Sequence, residues 1–184
     1  MELTMFRKPT ARTAKIAVFV LLPMVLIGAW FWRLQRDWSF IGAVQRGDIS
    51  KVRAGLDGGI DPNKANMKGA TALVFAVNGQ KPGNRAIIHL LLDHGANPNS
   101  GLWRVAGSQP PDIIRLLLDR GANPTNGLCS AVNARRPEIV QLLITRGANV
   151  NVKCSDTDRS VLLYAAEYGN NKIVSLLKAA GARK

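Results

Sequence analysis

The sequence is poor in the residues that enzymes most often use for chemistry. It contains two histidines and two cysteines among 184 residues, and Cys129 and Cys154 lack the Cys-x-x-Cys spacing of metal and redox centres. His89 and His94 stand in a leucine-rich run, outside any metal-binding or triad motif. Paired carboxylates, a nucleophile with its base and a phosphate-binding glycine loop are also missing from the sequence. We therefore expect no enzyme, no cofactor and no metal site.

Acidic residues are scarce as well. Lys and Arg outnumber Asp and Glu by 25 to 12, which leaves a formal net charge of +13. A surplus of this size favours an anionic partner, either an acidic protein surface or an anionic lipid or polymer, and a merely solvated basic face explains it equally well. No nucleic-acid-reading motif accompanies the charge, so we do not expect a nucleic-acid partner.

One long apolar run stands near the N-terminus. Residues 16–32 carry no charge, and as a helix they cover about 26 Å, close to the thickness of a bilayer core. Bulky aromatic residues end the run where a cleaved signal would need small ones, which favours an uncleaved anchor. The sequence predicts a basic cytoplasmic tail over residues 1–15 and a transmembrane anchor over residues 16–34. By the positive-inside rule, the rest of the chain lies in the periplasm of a bacterial inner membrane.

Beyond residue 38 the sequence repeats itself. Residues 100–125 and 126–151 align without a gap, and a glycine-containing stop element recurs throughout. Each stop follows an apolar run with helical spacing, and a glycine there can adopt the left-handed conformation that ends a helix. The stop glycines are Gly59, Gly95, Gly121, Gly147 and Gly181. Five stops predict five repeats.

The openings of two of these repeats resemble the ankyrin repeat. The segments 71–76 (Thr-Ala-Leu-Val-Phe-Ala) and 160–165 (Ser-Val-Leu-Leu-Tyr-Ala) keep the hydroxyl, Leu and Ala of the family's Thr-Pro-Leu-His-x-Ala opening. Ala43, Ala131 and Ala165 each lie 16 residues before a stop glycine, as close packing of neighbouring helices requires. The Gly-Ala-Asn stops argue against a tetratricopeptide array. The resemblance implies an all-α, ankyrin-type helical-repeat solenoid that binds a protein, with repeats at about 38–70, 71–99, 100–125, 126–159 and 160–184.

The sequence departs from the family pattern in two ways. The distances between stops are 36, 26, 26 and 34 residues, against about 33 in the family, so the two short repeats lack the projecting finger before the first helix. Full fingers are expected over residues 61–70 and 151–159. The family's opening histidine is replaced throughout, and we interpret the Trp among the replacements as a packing residue, since large aromatics are usually mostly buried. The replacements are Val74, Trp103, Cys129 and Leu163.

The resemblance also implies a concave binding face, formed by the fingertips and the exposed positions of each first helix. We interpret the partner as an acidic protein segment anchored near the gap left by the missing fingers, because the face mixes cations and amides with apolar groups. The alternative is a basic domain that docks on anionic lipid or cell-envelope polymer. Mapped in phase, the predicted face comprises Arg46, Lys64, Met67, Lys68, Asn78, Ser108, Asn133, Arg135, Arg159 and Tyr168.

The two cysteines are a candidate disulfide. Cys129 opens the helix pair of one repeat and Cys154 lies in the finger that leads to the next. Stacking of the repeats can bring them together, although a bridge requires Cα atoms within about 7 Å. An exported domain would favour the bridge, since paired thiols are seldom left free in an oxidising compartment.

Overall fold

The computed structural model describes residues 39–66, 68–79, 81, 83–154, 159–167 and 170–183. The chain divides into two compact units, Met1–Phe40 and Ile41–Lys184. The predicted tail and transmembrane anchor precede residue 39 and lie outside the described residues. Among the residues that are described, no helix is long and apolar enough to cross a membrane.

Helices follow one another in pairs along the described chain, and we call the members of each pair the first and the second helix. The first helices are α1 at residues 39–46, α3 at Ala72–Asn78, α5 at Asn99–Val105, α7 at Thr125–Asn133 and α9 at Val161–Glu167. The second helices are α2 at Ile49–Asp57, α4 at Asn84–Asp93, α6 at Pro111–Asp119, α8 at Pro137–Thr145 and α10 at Asn171–Ala179. Helices α3, α5, α7 and α9 pack on one another in that order. The predicted helical stack is confirmed.

Every second helix ends in the same backbone motif. The five stop glycines have φ angles between 79° and 87°. The N–H of each glycine donates to the carbonyl three residues before it, and the next N–H donates to the carbonyl five residues before its own position. This is the Schellman arrangement, in which a left-handed glycine satisfies the last carbonyls of a helix. The left-handed conformation predicted for the stop glycines is therefore confirmed.

A ladder of hydrogen bonds links successive repeats. The side chain four residues past a stop glycine accepts a hydrogen bond from the backbone N–H two residues past the next stop. The bonds join Asn97 N to Asn63 Oδ1 (2.6 Å), Asn123 N to Asn99 Oδ1 (2.8 Å), Asn149 N to Thr125 Oγ1 (2.9 Å) and Arg183 N to Asn151 Oδ1 (2.8 Å). Asn99 and Thr125 begin α5 and α7, which have no finger before them. The ladder therefore continues through the short repeats.

The fingers occur at the two ends of the described stack. In the first finger, Asn66 Oδ1 accepts hydrogen bonds from the backbone N–H groups of Lys68 (2.9 Å) and Ala70 (3.0 Å). The second finger contains an antiparallel pair of strands, β1 at Lys153–Cys154 and β2 at Arg159–Ser160. In the repeats between them, α5 and α7 begin four residues after their stop glycines. The finger pattern agrees with the distances between stops.

Acidic side chains concentrate on the second helices. Two pair with an arginine one repeat further along, Asp93 with Arg120 (2.8 Å) and Asp119 with Arg146 (2.8 Å), and Asp57 lies 3.8 Å from the His94 ring in the same arrangement. Another carboxylate, Asp48, precedes α2 and accepts a hydrogen bond from the backbone N–H of Lys51, which lowers the pKa of the Asp48 carboxyl. Exposed ion pairs stabilise a fold by at most about 1 kcal/mol. Most of the described acids lie on the second helices, where exposed cations lie as well.

Small residues allow the first helices to approach closely. Ala43, Ala131 and Ala165 are at most 1% exposed, which confirms that these three alanines lie in the packed interior. A Cβ atom added to Gly127 in α7 would lie 3.0 Å from Ala106 Cβ and 3.3 Å from Leu102 Cγ. Contacts of this kind leave little room for larger side chains between α5 and α7.

Arg135 occupies a backbone conformation that favours glycine. Its φ is 54° in the turn after α7, whereas the turn after α1 has Gly47 with φ 77°. A non-glycine residue with φ in this region costs about 1–2 kcal/mol of folding free energy. Glycine removes this cost, but it also gives the unfolded chain more conformational freedom, which offsets part of the gain. We expect Arg135→Gly to raise the free energy of unfolding by up to about 1 kcal/mol, measured as a higher urea midpoint.

Arg115 provides the matched control for this change. It is exposed and lies inside α6, so Arg115→Gly should lower the free energy of unfolding by about 1 kcal/mol through lost helix propensity. If both variants lower the urea midpoint equally, the strain at Arg135 is not real.

Candidate binding surface

The predicted binding residues form two rows rather than one patch. All the described members are exposed. The finger row contains Lys64, Lys68 and Arg159, and the helix-end row contains Arg46, Asn78, Ser108, Asn133 and Arg135. First helices α3 and α7 have seven and nine residues, so about 10–14 Å of helix separates the rows. Met67 and Tyr168 lie outside the described residues.

Several of these side chains already serve internal contacts. The guanidinium of Arg159 pairs with the Glu167 carboxylate, and Asn133 Oδ1 accepts a hydrogen bond of 3.0 Å from the Tyr164 hydroxyl. By contrast, the side chains of Lys68 and Arg135 contact no carboxylate among the described residues. These two cations are the members of the predicted set best placed to meet an acidic partner.

Trp103 lies at the surface, so its interpretation as a packing residue is wrong. Its side chain is 51% exposed, and Leu163 at the same position of α9 is 44% exposed. The guanidinium carbon of Arg104 lies 4.7 Å from the centroid of the Trp103 ring, within the range of a cation–π contact. A short repeat with an aromatic at the histidine position was the sequence signal for this exposed site.

A half-open pocket of about 360 Å³ lies beside Trp103. Its walls come from α5, from the start of α7 and from the chain that enters the second finger, so it occupies the gap left by the missing fingers. The disulfide between Cys129 and Cys154, with Cα atoms 5.6 Å apart, ties α7 to the second finger at this point. The lining residues are Trp103, Thr125, Asn126, Cys129, Val152 and Lys153.

Comparison with known families agrees with this architecture. A model of three ankyrin repeat copies matches residues 102–184, and a model of a single ankyrin repeat matches residues 68–101. The chain belongs to the ankyrin repeat family. It is also similar to an ankyrin repeat-containing protein of Treponema pallidum (strain Nichols), with 48% identity over 60 residues. These residues are 33% of this chain and 19% of that relative, so the similarity covers only a small part of the longer protein.

Ankyrin repeats are protein–protein interaction modules, and the matched region of this chain consists of them. The region matched by the family models, residues 68–184, includes Trp103 and the pocket. Helices α1 and α2 precede that region, yet α2 is closed by the same left-handed glycine motif at Gly59. The individual domain and repeat boundaries stay predictions.

Proposed function

We propose that this ankyrin repeat protein is a membrane-tethered binding module, a scaffold or an inhibitor of the immunity type, that holds an acidic segment of a partner protein. The segment binds the first-helix face, which consists of the fingers, the exposed sides of the first helices and the turns that follow them. The excess of cations over acids among the described residues of this face carries the proposal. On this face the described acids are Asp48, Asp61 and Glu167, of which Asp48 is paired with Lys51 and Glu167 with Arg159.

Exposed cations complete this charge pattern. Arg46, Lys68, Arg104 and Arg135 lie on the first-helix face and are all exposed. A surface whose described part carries more cations than acids attracts a negatively charged segment over distances of about 8 Å at physiological salt. Such attraction speeds association and rejects basic competitors. The face therefore favours an acidic protein as the partner.

The tether and the compartment belong to the same proposal. The uncharged run within residues 16–34 is long enough to span a bilayer, and the basic tail before it favours export of the repeats. The Cys129–Cys154 bond supports an oxidising compartment. We place the protein in a bacterial inner membrane with the repeats in the periplasm.

The experiment compares two charge-reversal variants of the full chain. Lys68→Glu with Arg135→Glu reverses two cations of the first-helix face, whereas Arg115→Glu with Lys172→Glu reverses two exposed cations on the second helices α6 and α10. Each variant loses one lysine and one arginine. Spheroplasts are treated with a membrane-impermeant crosslinker, and the captured protein is identified and titrated against each variant. We expect the first variant to bind at least about tenfold more weakly, since a tenfold loss needs only about 1.4 kcal/mol.

Three outcomes would contradict parts of the proposal. Unchanged binding by the first variant, together with lost binding by the second, places the partner on the second helices. Crosslinking only after the membrane has been permeabilised reverses the topology. The third outcome is that no protein is captured, that the chain binds phosphatidylglycerol vesicles, and that both variants weaken this binding equally. It favours docking on anionic lipid instead.

A further inference from the structure

The pocket beside Trp103 offers a ligand both apolar and polar surface, in about equal parts. The Trp103 ring, Val152 and the bridged sulfur of Cys129 contribute apolar walls. The polar lining groups on α7 are engaged elsewhere: Thr125 Oγ1 accepts from Asn149 N, and Asn126 Nδ2 donates to Asn99 Oδ1 at 3.1 Å. Two of the polar groups in the lining thus already have a partner in a neighbouring repeat, and the Trp103 ring and Val152 supply the apolar contact.

The size of the pocket fits one large side chain. Its volume of about 360 Å³ is at the lower end of the range for small-molecule sites, which extends to about 1,000 Å³. Exposed aromatic rings beside such depressions are typical of the few residues that dominate the energy of a protein interface. Trp103, half exposed and adjacent to the pocket, has this character.

The charged residues around the pocket favour particular residues on either side of the inserted side chain in the partner's sequence. Among the described residues, its lining includes Lys153 and no carboxylate, and Arg104 lies over the Trp103 ring at 4.7 Å. A carboxylate beside the inserted side chain would therefore approach the Arg104 guanidinium, which is exposed next to the Trp103 ring. This complementarity distinguishes an acidic peptide from a neutral or basic one.

We propose that this pocket receives an aromatic or large aliphatic side chain of the partner protein, flanked in the partner's sequence by carboxylates. The inference rests on the proposed function and adds the anchor of the complex, with Trp103 as the central contact. The Cys129–Cys154 bond fixes the chain next to Val152 and Lys153 against α7. A wall that is already fixed loses less conformational freedom on binding, which favours affinity.

Three nine-residue peptides test the inference with the full chain in detergent micelles. The first has a central phenylalanine with glutamates on both sides, the second replaces the phenylalanine by alanine, and the third replaces the glutamates by serines. Affinities are measured by fluorescence anisotropy of labelled peptides. The Trp103 indole signal, assigned with Trp103→Phe, is followed by NMR. We expect the first peptide to bind at least about tenfold more tightly than the other two and to shift the Trp103 signal.

The matched variants are Trp103→Ala and Leu163→Ala. Both remove an exposed apolar side chain at the same position of a first helix, and only Trp103 lines the pocket. We expect Trp103→Ala to weaken binding of the first peptide at least about tenfold and Leu163→Ala to leave it unchanged. Circular dichroism should show both variants folded, because the two side chains are about half exposed.

The inference is overturned if the phenylalanine and alanine peptides bind equally, if none of the three binds, or if both variants weaken binding to the same extent. It is also overturned if the chain forms a dimer that Trp103→Ala dissociates, since the occupant is then a second copy. The proposed function is judged separately. If the alanine peptide binds the wild-type chain and the double variant Lys68→Glu, Arg135→Glu abolishes that binding, the proposed function holds although the pocket is not the anchor.

Discussion

Removing the Cys129–Cys154 disulfide should lower the free energy of unfolding by about 3.5 kcal/mol. The two cysteines are 25 residues apart in sequence, and the estimate follows from the extra freedom that the unfolded chain gains when a loop of this length opens. The double variant Cys129→Ser, Cys154→Ser should therefore unfold at a lower urea concentration in circular dichroism. Its melting temperature should fall by about 10 °C.

Reduction provides the control for the disulfide. A thiol-free reductant such as a phosphine should lower the urea midpoint of the wild-type protein to that of the double variant and leave the variant itself unchanged. An unchanged wild-type midpoint would contradict the prediction. So would the labelling of two free thiols in the unfolded, unreduced protein.

Leu102→Ala should lower the free energy of unfolding by about 3 kcal/mol, with 2–5 kcal/mol as the usual range for a buried leucine. Leu102 is fully buried in α5, and its Cγ lies 3.3 Å from the place of a Cβ atom on Gly127 of α7. Truncation opens a cavity between two first helices in the middle of the stack. Because repeats are stabilised by their neighbours, the loss should appear in the urea unfolding of the whole helical signal.

Leu163→Ala is the matched leucine truncation for Leu102. Leu163 lies in a first helix as well but is 44% exposed, so its loss should cost well under half as much free energy of unfolding. Equal losses in the two variants would mean that α5 and α7 are not packed as described. Trp103→Ala, one residue beyond Leu102, should affect binding more than stability.

Local and periodic features of the fold could be predicted from the sequence. The stop glycines predicted the ends of the second helices, because the left-handed conformation is a property of a single residue and its neighbours. The short distances between Gly95, Gly121 and Gly147 predicted where fingers are missing, since a finger needs residues that these intervals do not contain.

Features that depend on neighbouring repeats could not be predicted in this way. The burial of Trp103 depends on what covers α5, and the usual burial of aromatics gave the wrong interpretation. The bond from Asn123 N to Asn99 Oδ1 requires the stacking of two repeats, which periodicity alone does not specify. The predicted binding residues lie in two rows instead of one patch. Their positions within each repeat predicted which face they share, but not the length of helix that separates the two rows.

The ladder through Asn99 and Thr125 has a consequence for how this chain can change. Fingers are present in some repeats and missing in others, yet the same positions hold one repeat to the next. A finger is therefore an insertion that the stack accommodates without a shift of register. Segments can be gained or lost directly after Asn99 or directly after Thr125, because both ladder residues then keep their distance from the preceding stop glycine. New recognition loops can evolve, or be grafted, at these two points.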